Sequence, residues 1–450
     1  SQHVTFETSG NDMPPKRRTS APKSPPAEEP TAARNSESEL FVGQGNNEHD
    51  ESEETTSYVL FYNTTFSAHR VSPLYLGNEP LTEGRLRILS QRLRDRLVGD
   101  VVRGVEVRLI SDGEGSVLAR AGSLEKVEME WVSVASVLAL SRSNLEALSK
   151  GGNVENLREK KALHITLRYE LAFCTALLLP SFGRGAEKRP EAEKTKFTIG
   201  VNSGEDEMDW EPTDGQTQFL DLPLMLMRMP PPLKAVVADF LATTFDCRVS
   251  PMRLGTRSLI GSWESWIQSA GVPTEGPLAK DMVLTLGFHV PTPESDSKED
   301  SEDHTLGLKT IDIIIPGTEL SKFVSAGQHL SSQPQPPLTD WGWESDLKKR
   351  RELAGRLYEE GWGWRADKKQ PFTEALGAYM SEHLAVNLFH PGVRVVKIAC
   401  GGLSMSESRL KVFAPVDSQD GESGVAKHKS AVLELLGALV EKSRVLMLGG

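Results

Sequence analysis

The sequence predicts an α+β fold: curved mixed, largely antiparallel sheets with packed helices, forming a two-part body after a disordered N-terminal arm. Three observations predict it. Strand-like and helix-like segments follow in mixed order, without the regular βαβ alternation of a parallel sheet. The 450 residues are 38% hydrophobic and 25% charged, enough apolar material for a large core. Residues 1–56 stand apart, rich in Ser, Pro, Glu, Asn and Thr and almost without aliphatics. Such a segment cannot bury enough surface to offset its ordering entropy. The domain reading is an acidic arm at 1–56, an N-terminal α+β part at 57–230 and a C-terminal α+β part at 231–450.

Tyr58 to Tyr62 is an aromatic and β-branched run that reads as a strand, followed by a polar turn and the stretch Ala68 to Tyr75. Thr82 to Val98 repeats Leu86, Leu89, Leu93 and Leu97 at helical spacing, with Gly99 suited to the position after the helix end. Val101 to Ile110, Lys126 to Val134, Leu163 to Tyr169 and Leu171 to Leu179 read as strands, with a short helix at Leu138 to Leu148. Charged insertions occupy 183–194 and 202–217. Pro230 to Pro232 opens a helix over Leu233 to Phe245. Strands at Met282 to Val290 and Thr310 to Ile315 flank the acidic loop Glu294 to Asp303. The last third holds a basic helix at Asp346 to Tyr358 and a long helix at Phe372 to Phe389. A hairpin then pairs Val393 to Ala399 with Arg409 to Ala414, and a helix at Lys429 to Met447 follows.

Bulk properties narrow the function. A formal net charge of −12 disfavours general binding to DNA or anionic lipid, so any nucleic-acid contact needs a local basic patch. Cys174, Cys247 and Cys400 are odd in number and lack a CxxC, which argues for reduced thiols in the cell interior and against a zinc site. The longest apolar run, Leu171 to Leu179, is about half of what a membrane span requires. No phosphate-loop, dinucleotide, HExxH, GxSxG or EF-hand pattern occurs, and His383 and His390 are spaced seven apart, not at the four of a helical zinc pair. The reading is a protein without catalytic, cofactor or metal residues that acts by protein–protein contact.

Several constellations could bind. Trp341, Trp343, Trp362 and Trp364 flank the basic run Lys348 to Arg351; they can anchor a partner or simply staple that helix onto the sheet. Arg85, Arg92 and Arg96 share one helix face, suited to phosphates or an acidic partner, or to plain solvent. In the C-terminal hairpin, Arg394, Val396, Ile398, Leu410 and Val412 could belong to an edge strand that accepts another chain's strand, or to a strand fully paired at home. On the arm, Pro15 to Arg18 reads as a nuclear-import patch, and Thr19 and Ser24 as phosphorylation sites.

Phe61 to Tyr75, an aromatic strand, polar turn, basic residue and Ser72-Pro73-Leu74-Tyr75, resembles the opening of the CENP-L family of kinetochore proteins in its fungal branch. Arg85 to Ile110, Asp239 to Pro251, and Val395 to Ile398 with Leu410 to Phe413 resemble later pieces of the same family in the same order. The resemblance implies a two-part α+β body on curved sheets and a non-catalytic structural role in the inner kinetochore. It implies pairing with a CENP-N-like subunit through the C-terminal part, and contact with other inner kinetochore subunits. The centromeric nucleosome would be reached mainly through that partner, and a homodimer is a further expectation. The implied location is the nucleus, at the centromere and kinetochore. The rival readings are a nuclear nucleic-acid-binding module using Arg85, Arg92 and Arg96, and an enzyme whose site assembles only in space.

Overall fold

The computed structural model describes residues 61–100, 121–141, 157, 159–181, 218–272, 279–289, 309–332, 346–354, 362, 370–415 and 421–445. All of them lie in the unit Asn46–Gly450. The expectations placed at 1–60, 101–120, 142–156, 182–217, 290–308 and 355–358 fall outside the described residues.

Residues 62–63 form a turn, with Asn63 in the left-handed region at φ 60°, and the first described strand begins after it. This β1 (Thr65–Val71) lies later than the strand expected at Tyr58 to Tyr62. Phe61 and Tyr62 act instead as a plug: Phe61 stacks on Phe66 at 6.0 Å, and the Tyr62 hydroxyl donates to the Leu138 carbonyl at 3.2 Å. The chain then makes the two-residue β2 (Leu74–Tyr75) and the helix α1 (Glu83–Asp100). Thr82 caps α1 by accepting from the Arg85 amide at 3.3 Å. Leu86, Leu89, Leu93 and Leu97 are all buried, as their spacing predicts. Gly99 lies inside the helix and does not terminate it.

Next come β3 (Leu124–Ser133), the short turn of helix α2 (Val134–Val137), β4 (Lys161–Tyr169) and β5 (Phe173–Leu179). Leu171, expected to open the last of these strands, is 75% exposed at the tip of the β4–β5 hairpin. There the Tyr169 amide bonds the Ala172 carbonyl at 2.9 Å and closes the turn. β6 (Phe219–Leu220) pairs with β2, and β7 (Leu224–Arg228) leads into α3 (Pro231–Phe245). Proline in the first turn of α3 gives up only amides that would go unbonded anyway. The helix ends on Asp246, which takes the left-handed conformation at φ 44°.

The second half adds β8 (Val249–Pro251), α4 (Thr256–Ala270), β9 (Met282–Phe288), β10 (Thr310–Ile315), α5 (Gly317–Ser332) and α6 (Leu347–Ala354). It closes with α7 (Pro371–Leu384), β11 (Val393–Ala399), β12 (Leu403–Ser406), β13 (Arg409–Val412) and α8 (Gly421–Val445). α7 stops at Ala385, which turns left-handed at φ 51°, so His390 lies beyond the helix that was expected to reach Phe389. The expected single hairpin is a three-stranded meander. Leu403 and Met405 are buried in alternation with Ser404 and Ser406, so the segment read as a loop is the strand β12 between β11 and β13.

Eleven strands form one open sheet in the order β10-β9-β11-β12-β13-β1-β7-β5-β4-β3, with β8 also paired to β1. Every strand pairing among the described residues is antiparallel, from Thr310↔Gly287 at one end of the sheet to Leu124↔Tyr169 at the other. β1 holds the centre: β7 lies on one side, while β13 and then β8 share the other. Asn63 reinforces that seam, its amide donating to the Val412 carbonyl at 2.7 Å and its side chain accepting from the Ala414 amide at 3.2 Å. The boundary at residues 230/231 falls between β7 and α3, and strands from both sides of it pair with β1.

One face of the sheet is covered along its length. Trp263, Trp266 and Ile267 of α4, Phe372 and Leu376 of α7, and Leu435, Leu436 and Leu439 of α8 join one core with residues of β9, β11, β13, β1 and β5. The opposite face is covered at the β3 end, where α1 packs on β3 and α3. α5 and α7 cross so closely that a Cβ at Gly327 would sit 1.7 Å from the Pro371 carbonyl oxygen. Gly327→Ala should therefore cost about 3 kcal/mol or more by forcing the helices apart. Gly261→Ala, on exposed α4 surface with nothing within 4 Å, should instead stabilise by about 0.5–1 kcal/mol. Urea midpoints of the two variants check this, and equal midpoints would contradict it.

Glu264 joins α4 to α7. Its Oε1 accepts from the Thr373 amide at 2.9 Å and the Thr373 hydroxyl at 2.7 Å, and both residues are buried. The carboxylate thus caps the first turn of another helix. Burial pushes its pKa up, against the opposing pull of the Thr373 hydrogen bonds. A folded-state pKa raised above the unfolded one means the folded chain holds the proton more tightly. The resulting stability is present below the ordinary carboxylate range and is lost as pH rises through the folded value. Glu264→Gln keeps an acceptor for Thr373 and should flatten the fall in stability above about pH 4. Urea midpoints across that window check it; an unchanged slope would contradict the assignment.

Candidate partner interface

The sequence leaves the C-terminal hairpin as either an edge strand or a strand fully paired at home, and the sheet shows the second. β11 pairs with β9 on one side and β12 on the other, while β13 lies between β12 and β1. Neither strand is an edge, so no second chain can add there without displacing a native strand. Ile398, Leu410 and Val412 are each 1% exposed and belong to the core. Val396 sits at a bulge between Val395 and Lys397, half-buried, with its Cγ2 against Gly287. That approach requires glycine at 287, since a Cβ there would meet Val396 at 2.9 Å. Arg394 is half-buried and donates to the Ala354 carbonyl; burial draws its pKa down, opposed by the charge of Glu407.

Trp362 staples structure. Its Nε1 donates to the Val393 carbonyl at 3.0 Å, its ring meets Phe389 edge-on at 5.1 Å, and Arg350 donates to its carbonyl. Trp341, Trp343 and Trp364 lie outside the described residues, as do Thr19 and Ser24. The arginine face of α1 is divided in use. Arg85 donates to the carbonyls of Leu76 and Glu79, and Arg96 pairs with Asp239 and donates to Thr243. Arg92 is exposed.

Two strands end the sheet, β10 and β3. Among the described residues nothing pairs with the outer side of either. β10 alternates cleanly: Ile311, Ile313 and Ile315 turn toward the core, while Thr310, Asp312 and Ile314 point outward. Ile314 is 63% exposed. The outward row continues inward through Ile314↔Val283↔Ala399 and Asp312↔Thr285↔Lys397. Asp312 is held by the Thr285 hydroxyl at 2.6 Å. Among the described residues no helix packs over this part of the face. The result is an apolar step at the free edge, bordered by a polar row.

The chain matches the family model for centromere protein L over residues 60–444. It belongs to the CENP-L family. No curated protein matches the chain. The CENP-L match covers most of the chain and runs through every described strand and nearly all of the last described helix. Membership makes this a centromere protein with a structural, kinetochore-associated role, associated with other inner kinetochore proteins. It also places the CENP-L-like opening, Phe61 to Tyr75, in structural terms: that stretch supplies the plug and the central strand. Among the described residues no three His, Cys, Asp or Glu side chains converge as a metal site, and no helix is long and apolar enough to cross a membrane.

The sequence reading missed Ile314 as a surface residue because three consecutive isoleucines look like core. The period-2 pattern of Thr310, Asp312 and Ile314 was the available signal. Edge position itself depends on distant pairing. Ile398→Ala should lower stability by about 2–4 kcal/mol, whereas Ile314→Ala should change it by less than about 0.5 kcal/mol. Equal losses in urea titrations would show that β10 is covered.

Proposed function

We propose that this chain pairs with a CENP-N-like subunit within the inner kinetochore and so helps link centromeric chromatin to the kinetochore. The seat of that pairing is the outer edge of β10. The observation that carries the reading is the exposed edge with Ile314 pointing outward, beside a face that no described helix covers. A strand added to β10 would satisfy its outward backbone groups, and an apolar residue opposite Ile314 would leave water. The net charge of −12 suits a subunit whose partner makes the principal nucleosome contact. The rival direct nucleic-acid role for Arg85, Arg92 and Arg96 loses support, since Arg96 is ion-paired and Arg85 is spent on carbonyls.

Co-expression with a CENP-N-like subunit and size-exclusion chromatography test the proposal. The wild-type pair should co-elute. Ile314→Lys should weaken the complex by about tenfold or more while leaving the thermal midpoint of the single chain unchanged. Failure of the wild-type pair to co-elute would sink the pairing. Undiminished co-elution of Ile314→Lys would move the interface away from β10. A wild-type chain that elutes as a dimer alone, and dissociates on Ile314→Lys, would assign the edge to a second copy instead.

A further inference from the structure

A second surface is built from the β2–β6 ribbon, a separate two-stranded sheet, and the outer ridge of α1, the helix that packs on β3. Tyr75 and Phe219 are paired across the ribbon with ring centroids 5.4 Å apart, yet remain 40% and 58% exposed. Arg85 joins the ribbon to the helix by donating to the Leu76 carbonyl at 2.9 Å. One turn beyond Arg85, Ile88 is 58% exposed on the crest of α1, and Val98 is 46% exposed farther along it. Folding does not use these apolar groups, because the leucine stripe on the opposite side already anchors the helix.

The crest is flanked by positive charge. At 100° per residue, Arg87 and Arg94 lie on one flank and Arg92 on the other. All three are exposed and make no hydrogen bond or ion pair among the described residues. Of the carboxylates around the ridge, Asp239 holds Arg96, Asp95 accepts from Gln91 at 2.8 Å, and Glu83 lies one turn before Arg87 without pairing with it among the described residues. Exposed aromatic rings beside unpaired arginines have the composition of an interface hot spot.

We propose that this surface docks an acidic segment of a partner protein that carries aromatic or aliphatic side chains. Its apolar side chains pack on Tyr75, Phe219 and Ile88, and its carboxylates pair with Arg87, Arg92 and Arg94. Duplex DNA fits less well, because a phosphate backbone gives Phe219 and Ile88 nothing to bury against and the chain is acidic overall. This inference does not depend on the β10 proposal.

The test is fluorescence anisotropy with the full chain and three probes: a short glutamate-rich peptide bearing Trp and Leu, an all-glutamate peptide of equal length, and a short DNA duplex. The mixed peptide should bind at least about tenfold more tightly than the all-glutamate one. Combined Arg87→Glu, Arg92→Glu and Arg94→Glu should abolish its binding, and Phe219→Ser should weaken it several-fold, with thermal midpoints kept. No binding of the mixed peptide would overturn the proposal. So would equal binding of both peptides, binding untouched by either variant, or capture of the duplex alone through these arginines. If charge reversal lowers the midpoint, Phe219→Ser alone decides: unchanged affinity overturns the proposal and weakened affinity supports it.

Discussion

The structure depends on the antiparallel seating of β1 between β7 on one side and β13 and β8 on the other. Residues 65–67 meet residues 409–411 there, so the start and the end of the body are joined at the middle of the sheet. The junction is costly in loop-closure entropy, and it is held by more than the ladder. Asn63 bonds the backbone at both Val412 and Ala414, and Phe61 and Tyr62 fill the space beside it. Because β13 is spent on β1, β12 on β13 and β11 on β9, the C-terminal meander is interior. The free edges are displaced to β10 and β3.

That displacement bears on function. A centromere protein with a structural role works through surfaces, and the sheet determines which surfaces are available. The helices α4, α7 and α8 cover one face, and α1 and α3 cover the far end of the other. Among the described residues, the face near β10, the β3 edge and the outer ridge of α1 are left uncovered. The buried polar groups serve the fold: Glu264 caps α7, and His164 is held between Glu130 and Thr175 at 3.1 and 2.9 Å, with burial lowering its pKa.

Much of the local structure was legible in the sequence because it is locally encoded. The leucine stripe of α1, the proline-led α3 and the strands at 124–133, 161–169 and 310–315 carry their own periodicity or punctuation. Other elements were hidden. α4 mixes Ser262, Glu264 and Ser265 with its two tryptophans, and the polarity of Glu264 finds its partners in Thr373 and the Phe372 backbone, more than a hundred residues away. β12 is four residues long and half serine, so it looked like a turn. Most of all, edge and interior are properties of pairing, not of the strand. Val393 to Ala399 and Thr310 to Ile315 look alike as sequences, and only the register shows that the first is enclosed and the second is not.

Hydrogen exchange of the chain alone and in complex with a CENP-N-like subunit tests this account most directly. The account predicts that partner binding slows exchange at the backbone amides of β10, residues 310–315, and leaves β11, β12 and β13 as slow as they already were. New protection confined to 393–412, with β10 unchanged, would contradict it.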